Sequence, residues 1–133
     1  MIAIKRVYDA PSREDGVRIL VDRVWPRGVS RAAAKIAGWM RELGPSDELR
    51  RFFGHDPARW REFGRRYRAE LKRREAAPLL AELIELARRG RLTIVYGARD
   101  REHNQAVVLK AVLDRRLRPR RRRSPAVQVQ ARP

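Results

Sequence analysis

The sequence has no cysteine among its 133 residues. That excludes disulfides, thiolate catalysis and a cysteine-held metal. It has two histidines, His55 and His103, and neither HxxxH nor HExxH spacing, so no metal site is expected. There is no GxGxxG stretch and no P-loop, and nothing in the chain points to a cofactor. No serine stands in a nucleophile elbow, so a Ser-His-Asp triad is unsupported. No apolar run approaches the roughly 18–20 residues of a membrane span. The N-terminus, Met1-Ile2-Ala3-Ile4-Lys5-Arg6, lacks a long apolar stretch and a cleavage site. A cytoplasmic protein with no membrane partner is the expectation. Lysine is scarce, at four against 29 arginines, a ratio that suggests a high-GC coding sequence.

What is present is positive charge and an ordinary apolar content. The apolar fraction is 43% and the formal net charge +17. The length fits one domain with a real core. Residues 115–133 hold eight arginines and no acid, so residues 1–114 carry 25 bases against 16 acids, a net of +9. This divides the chain into an α/β domain over 1–114 and an arginine-rich disordered tail over 115–133. Like charges repel in the tail, and Pro119 and Pro125 break regular structure.

Along the chain, Ile2–Val7 and Val17–Val21 read as strands, separated by the loop signals Asp9-Ala10-Pro11-Ser12 and Asp15-Gly16. Pro26-Arg27-Gly28 forces a loop. Residues 31–43 are predicted as one helix, ended by Gly44-Pro45. Ser46 is a fair N-cap for a short helix that Gly54 ends. Asp56-Pro57 opens another, on which Trp60, Phe63, Tyr67 and Leu71 form an apolar stripe. Pro78 starts a helix that Gly90 ends. Leu92–Tyr96 reads as a third strand, and Asp100 as the cap of a last, largely buried helix. The short first link favours an antiparallel first pair of strands, and the long second link a parallel pair. Alternating strands and helices give an α/β domain.

In an open parallel sheet, ligands sit beyond the carboxyl ends of the strands. Two segments fall there. Asp22-Arg23-Val24-Trp25-Pro26-Arg27-Gly28 combines a carboxylate, two guanidiniums and an indole. Its arginines can fork onto phosphate or carboxylate, and Asp22 can orient one of them or exchange a proton. Gly97 to Gln105 contains a small turn, Asp100, His103 and Asn104. Backbone N–H groups there can hold an anion, and His103 can shuttle a proton near neutral pH. In a third segment, His55 lies at a corner between two helices. Each segment also has a plain structural reading, as ion pairs, caps and a filled corner.

These residues resemble the YeaO-like family of uncharacterised domain-of-unknown-function proteins. The matching stretches are Lys5-Arg6-Val7-Tyr8-Asp9, Asp15 to Gly28, Phe53 to Tyr67 around Gly54-His55-Asp56-Pro57, and Tyr96 to Leu109 around Glu102-His103-Asn104. The resemblance runs from residue 1 to about 114 and leaves the basic tail outside. It implies a compact α/β fold with a small, mainly parallel sheet and helices packed on it, against the antiparallel first pair inferred from link length. Its motifs fall on Asp22, Arg23, Trp25, Arg27, Gly28, His55, Asp56, Arg66, Asp100, His103 and Asn104. Relatives in this branch tend to have histidine where Gln105 stands, and more distant ones a cysteine near Asn104. A mechanism needing either residue cannot operate here. No established reaction comes with the resemblance.

Two functions from different classes follow. The first is a small enzyme or ligand-binding domain for an anionic substrate, a nucleotide or phosphorylated metabolite. Asp22, Asp100 and His103 would be the acid–base candidates, and Arg23, Trp25, Arg27, Gly28, His55, Arg66 and Asn104 the ligand-binding ones. The second is a nucleic-acid binder using the arginine-rich face of Arg59, Arg66, Lys72 and Arg73 and the tail arginines Arg118, Arg120, Arg121, Arg122 and Arg123.

Overall fold

Aliphatic and β-branched runs make three of the four short strands in the computed structural model, which describes residues 1–118: β1 Ile2–Arg6, β2 Val17–Leu20, β3 Gly38–Trp39 and β4 Leu92–Tyr96, β3 being the exception. They form one sheet in the order β1-β4-β2-β3, with every pair parallel. Ile94 of β4 is in register with Ile4 on one side and Ile19 on the other. The helices are α1 Arg31–Ala34, α2 Asp47–Phe53, α3 Trp60–Leu71, α4 Ala77–Arg89 and α5 Gln105–Leu117.

Strand alternation sends residues to two unequal layers. Ile19, Val21, Ile94 and Tyr96 face a thick core built with Phe53, Phe63, Tyr67, Leu83 and Leu109 of the helices. Leu20 and Val95 face a thin one closed by Val7 and Ala34, with Trp25, Val29, Ile36 and Trp39 packed around it. All five residues of β4 are buried, as its central position requires. The apolar stripe of α3 turns inward as its spacing predicts: Phe63, Tyr67 and Leu71 are buried and Trp60 is packed against them.

The antiparallel first pair is not formed. β4 lies between β1 and β2, and both run parallel to it. The return needs no crossover α-helix: the chain turns at residues 7–9 and makes one 3₁₀ turn, Arg13–Asp15, and ten residues can reach up to about 33 Å, against roughly 17 Å for a five-residue strand. The helix predicted over 31–43 is also corrected. α1 stops at Ala34, Lys35 takes a left-handed conformation (φ 48°), and β3 and a 3₁₀ turn over Arg41–Leu43 follow. The open edge of β2 decides this. Ala37 N–H donates to Arg18 O (2.7 Å) and Met40 N–H to Leu20 O (2.9 Å). Four residues make a poor helical nucleus against such partners.

Ser46 caps α2, its Oγ accepting from Leu49 N–H, and Gly54 ends that helix in the left-handed region (φ 51°). The cap of α5 is Asn104, whose Oδ1 accepts from Val107 N–H (3.1 Å), and not Asp100. α5 also continues through Leu117, so Arg115 and Arg116 belong to its last turn rather than to a tail. Their charges suit the negative end of the helix. None of the described helices is long and apolar enough to cross a membrane.

Tyr67 ties this core to the site. Its buried hydroxyl donates to Leu43 O (2.5 Å), just before the Gly44-Pro45 corner. Burial pushes its phenol up from the ordinary tyrosine range. Tyr67→Phe leaves that carbonyl unpaired, and a loss of about 1–2 kcal/mol is expected in urea unfolding.

Candidate functional site

The loops after β1, β2 and β4 meet at the carboxyl edge of the sheet, and α2, the corner after it and α3 close the other side. Between them is a cavity of about 480 Å³. Tyr8 reaches it from the first loop and Asp22 to Arg27 from the second. Gly97, Ala98, His103, Asn104 and Gln105 reach it from the third. Arg50, Arg51, Phe53, His55 and Phe63 line it from the helical side.

Asp22 is the acid of this cavity. Gln105 Nε2–H donates to its Oδ1 (2.5 Å), and the Gly97 backbone lies beside the carboxylate. A side chain at position 97 would place a Cβ 2.7 Å from Asp22 Oδ2 and 3.3 Å from Pro26, so this close approach requires glycine. Burial pushes the Asp22 carboxyl up to about 6; the Gln105 bond, the nearby Gly97 N–H and the charge of Arg50 oppose it only in part. Among the described residues, Asp22 is the one carboxylate that is neither exposed nor within 4.0 Å of an arginine, lysine or histidine nitrogen.

The arginines around it differ in availability. Arg23 is engaged: its Nε donates to Pro45 O (3.0 Å) and its NH2 to Gly44 O (2.8 Å), which pins the corner before α2. Gly44 lies so close that a Cβ there would sit 2.6 Å from Arg23 N. Arg27 and Arg51 are exposed at the cavity, and their side chains make no hydrogen bond or ion pair with a described residue. Arg50 makes only an exposed pair with Asp47 (2.9 Å). Charged hydrogen bonds of this kind are weak when solvated, so Arg50 is readily turned to a ligand.

On the third loop, Asp100 Oδ1 accepts from the N–H groups of Glu102 (2.9 Å) and His103 (3.0 Å), and its Oδ2 meets His103 Nδ1 (2.8 Å). These bonds hold the Asp100 carboxyl below its usual range. They fix the His103 ring, which also stands edge-on to Trp60 at 5.1 Å. With Nδ1 engaged by Asp100, Nε2 is the nitrogen left to exchange a proton. Asn104 is buried and donates Nδ2–H to Asp100 O (2.9 Å), so it shapes the loop besides capping α5. His55 reaches the cavity from a left-handed backbone (φ 58°) next to Gly54.

The structure thus brings Asp22, Arg23, Trp25, Arg27, His55, His103 and Asn104 to one cavity, with Asp100 directly behind His103. It does not bring Arg66, which pairs with Glu62 (2.7 Å) and lies over Phe52 on the outer face of α3. Gly28 supplies a turn (φ 74°) beside Arg27 and does not line the cavity. Trp25 lines it, with its indole N–H donated to Val29 O (2.7 Å) and its ring against Trp39. Arg118 is exposed at the far end of α5. Arg120, Arg121, Arg122 and Arg123 lie outside the described residues. Sequence reasoning missed Arg50, Arg51 and Tyr8 as lining residues, and gave Gln105, the last residue of its second segment, no role. Gln105 is the first residue of α5, and only the pairing of β2 beside β4 sets it against Asp22.

The family described as the inactive DUF488-N3 subclade matches residues 1–129, further than the expected limit at 114. The chain is 39% identical over 108 residues to the protein of Escherichia coli (strain K12) named "uncharacterized protein YeaO", a match covering 81% of this chain and 92% of that one. It is 37% identical over 115 residues to "uncharacterized protein Mb3100c" of Mycobacterium bovis, covering 86% and 95% of the two chains. The same figures hold for "uncharacterized protein Rv3073c" of Mycobacterium tuberculosis (strain H37Rv). No solved structure matches the chain. With the family match running over nearly its whole length, and with relatives of this identity, the chain belongs to the DUF488-N3i family and is one of its YeaO-like members.

Proposed function

We propose that this protein binds a small anionic ligand, a phosphorylated metabolite or nucleotide, in the cavity at the carboxyl edge of the sheet. The observation that carries the reading is Arg27 and Arg51, two exposed guanidiniums with no partner among the described residues, on the same cavity as Arg50 and the engaged Arg23. Guanidiniums fork onto phosphate oxygens. The volume suits a ligand of drug or nucleotide size. The family description as an inactive subclade favours binding over turnover. In that role Asp22 and His103 are hydrogen-bonding groups for the ligand, not an acid–base pair.

Calorimetry with inorganic phosphate and ribose 5-phosphate tests this. Arg27→Ala is expected to weaken binding about tenfold, about 1.4 kcal/mol, with an unchanged melting temperature. If Arg27→Ala instead melts the protein, the residue is structural and the reading fails.

The nucleic-acid reading has weaker support in the folded domain. Arg59 lies 3.8 Å from Asp56, Arg66 pairs with Glu62 and Arg73 is 4.0 Å from Glu70, so that face is partly neutralised. A salt titration of oligonucleotide binding decides it. A steep slope that survives replacement of Arg120, Arg121, Arg122 and Arg123 by glutamine would return the role to the domain.

A further inference from the structure

We infer that the Asp22 carboxylate reads a flat ligand head presenting two adjacent N–H donors, so that the ligand is a nucleotide with a guanine-type edge. This rests on the anion reading above, which places the phosphate at the cavity arginines.

The argument begins with what Asp22 lacks. In a chain with 29 arginines, this carboxylate is withdrawn from solvent without a cationic partner among the described residues. Among the described residues its side-chain donor is neutral, the Gln105 amide, and the backbone N–H of Gly97 stands nearby. An ionised carboxylate has about four acceptor sites and no proton to give. These neighbours leave at least half of that capacity for something in the cavity. The Gln105 amide must turn its NH₂ to Asp22 for the same reason, which leaves Gln105 Oε1 as a further acceptor. The floor therefore presents acceptors, and a ligand edge of carbonyl oxygens would be repelled there.

The walls select for a flat apolar body. Tyr8 is 45% exposed and Val24 56%, and both line the cavity; the one other exposed large apolar residue described is the terminal Met1. Tyr8 is held for stacking. Its hydroxyl donates to Arg27 O (2.6 Å), and the Arg6 guanidinium lies 4.7 Å from its ring centre. Tyr8 and Val24 both line the cavity, so a ligand seated in it would cover them. Among the common bases, guanine offers two adjacent donors, its ring N1–H and its exocyclic amino group. Adenine and cytosine alternate a donor with an acceptor on the same edge, and uracil sets its N–H between two carbonyls.

Calorimetry on the full chain at pH 7.5 tests this with GMP, IMP, AMP, UMP and ribose 5-phosphate. GMP is expected to bind at least tenfold tighter than IMP, which lacks only the amino group, and than AMP or UMP. Asp22→Asn is expected to abolish that preference, leaving GMP no tighter than IMP. Equal affinities for the four nucleotides, or a preference for AMP or UMP, would overturn the inference. If ribose 5-phosphate still binds in that case, the anion reading stands alone. If no phosphorylated compound binds, both fall.

Discussion

Asp15→Ala is expected to lower stability by about 3 kcal/mol at pH 7, the low end for breaking a buried ion pair, because Asp15 lies just beneath the surface. The side chain gathers three donors: Lys5 Nζ (3.0 Å), Arg18 NH1 (2.8 Å) and Ser12 N–H (2.9 Å). Arg18 is only 4% exposed, and its remaining bonds go to Ala34 O. Removing the carboxylate leaves that guanidinium buried and uncompensated. The geometry also shows what is lost. Lys5 is on β1 and Arg18 on β2, and Thr93 of the intervening β4 donates its hydroxyl to Asp15 O (2.6 Å). Asp15 therefore clamps two strands that share no backbone hydrogen bonds. Burial raises its carboxyl, but the Ser12, Lys5 and Arg18 bonds outweigh this and the net shift is downward. A lowered carboxyl contributes stability above the ordinary aspartate range, and that stability is lost as pH falls through the depressed value. Urea unfolding of both proteins at pH 7 and pH 3 checks this: the gap should narrow at the lower pH. A gap that stays constant would mean the loss is packing rather than charge.

Asp22→Asn is expected to act in the opposite direction, raising stability by roughly 1–2 kcal/mol at pH 7.5. The Asp22 carboxyl titrates near 6 in the fold and near the usual aspartate range when unfolded. The native state therefore binds more protons between about pH 4 and pH 6, and stability falls as pH rises through that window. Two pKa units correspond to about 2.7 kcal/mol, and an amide that satisfies Gly97 and Gln105 less well recovers only part of it. The gain should shrink as pH falls through that window and vanish near pH 3, about a unit below the ordinary aspartate value, where Asp22 is protonated in both states. Thermal melts of both proteins from pH 3 to pH 8 make the comparison. A variant less stable at every pH would make Asp22 a structural residue. A variant that gains stability would support the ligand role proposed for Asp22.

Much of the local structure was legible. Ser46, Gly54 and Asp56-Pro57 mark ends because their chemistry acts within a few residues: a side-chain oxygen meets an N–H two or three positions on, or Gly54 admits a left-handed turn. The stripe of α3 was legible because helical spacing repeats over three turns. β3 was not. Two residues carry no periodicity, and Gly38-Trp39 is a strand only because β2 offers an open edge. The cap of α5 was assigned to Asp100 because Asp and Asn serve equally in sequence. In the fold Asp100 is taken by His103 and Glu102, and Asn104 is left to cap.

The α/β class, the ends of most helices and the two loops after β2 and β4 that line the candidate site were readable from the sequence alone, because these follow from residues close in the chain. Only the tertiary structure decided that β4 enters between β1 and β2, since that pairing joins residues about 75 positions apart in the chain. The same insertion sets Gln105 and Gly97 against Asp22. Packing of α2 against these loops then separates Arg23, consumed by Gly44 and Pro45, from Arg27 and Arg51, which face the cavity. An arginine's type states its charge, but whether that charge is free depends on which carbonyls and carboxylates the fold brings within about 3 Å of it.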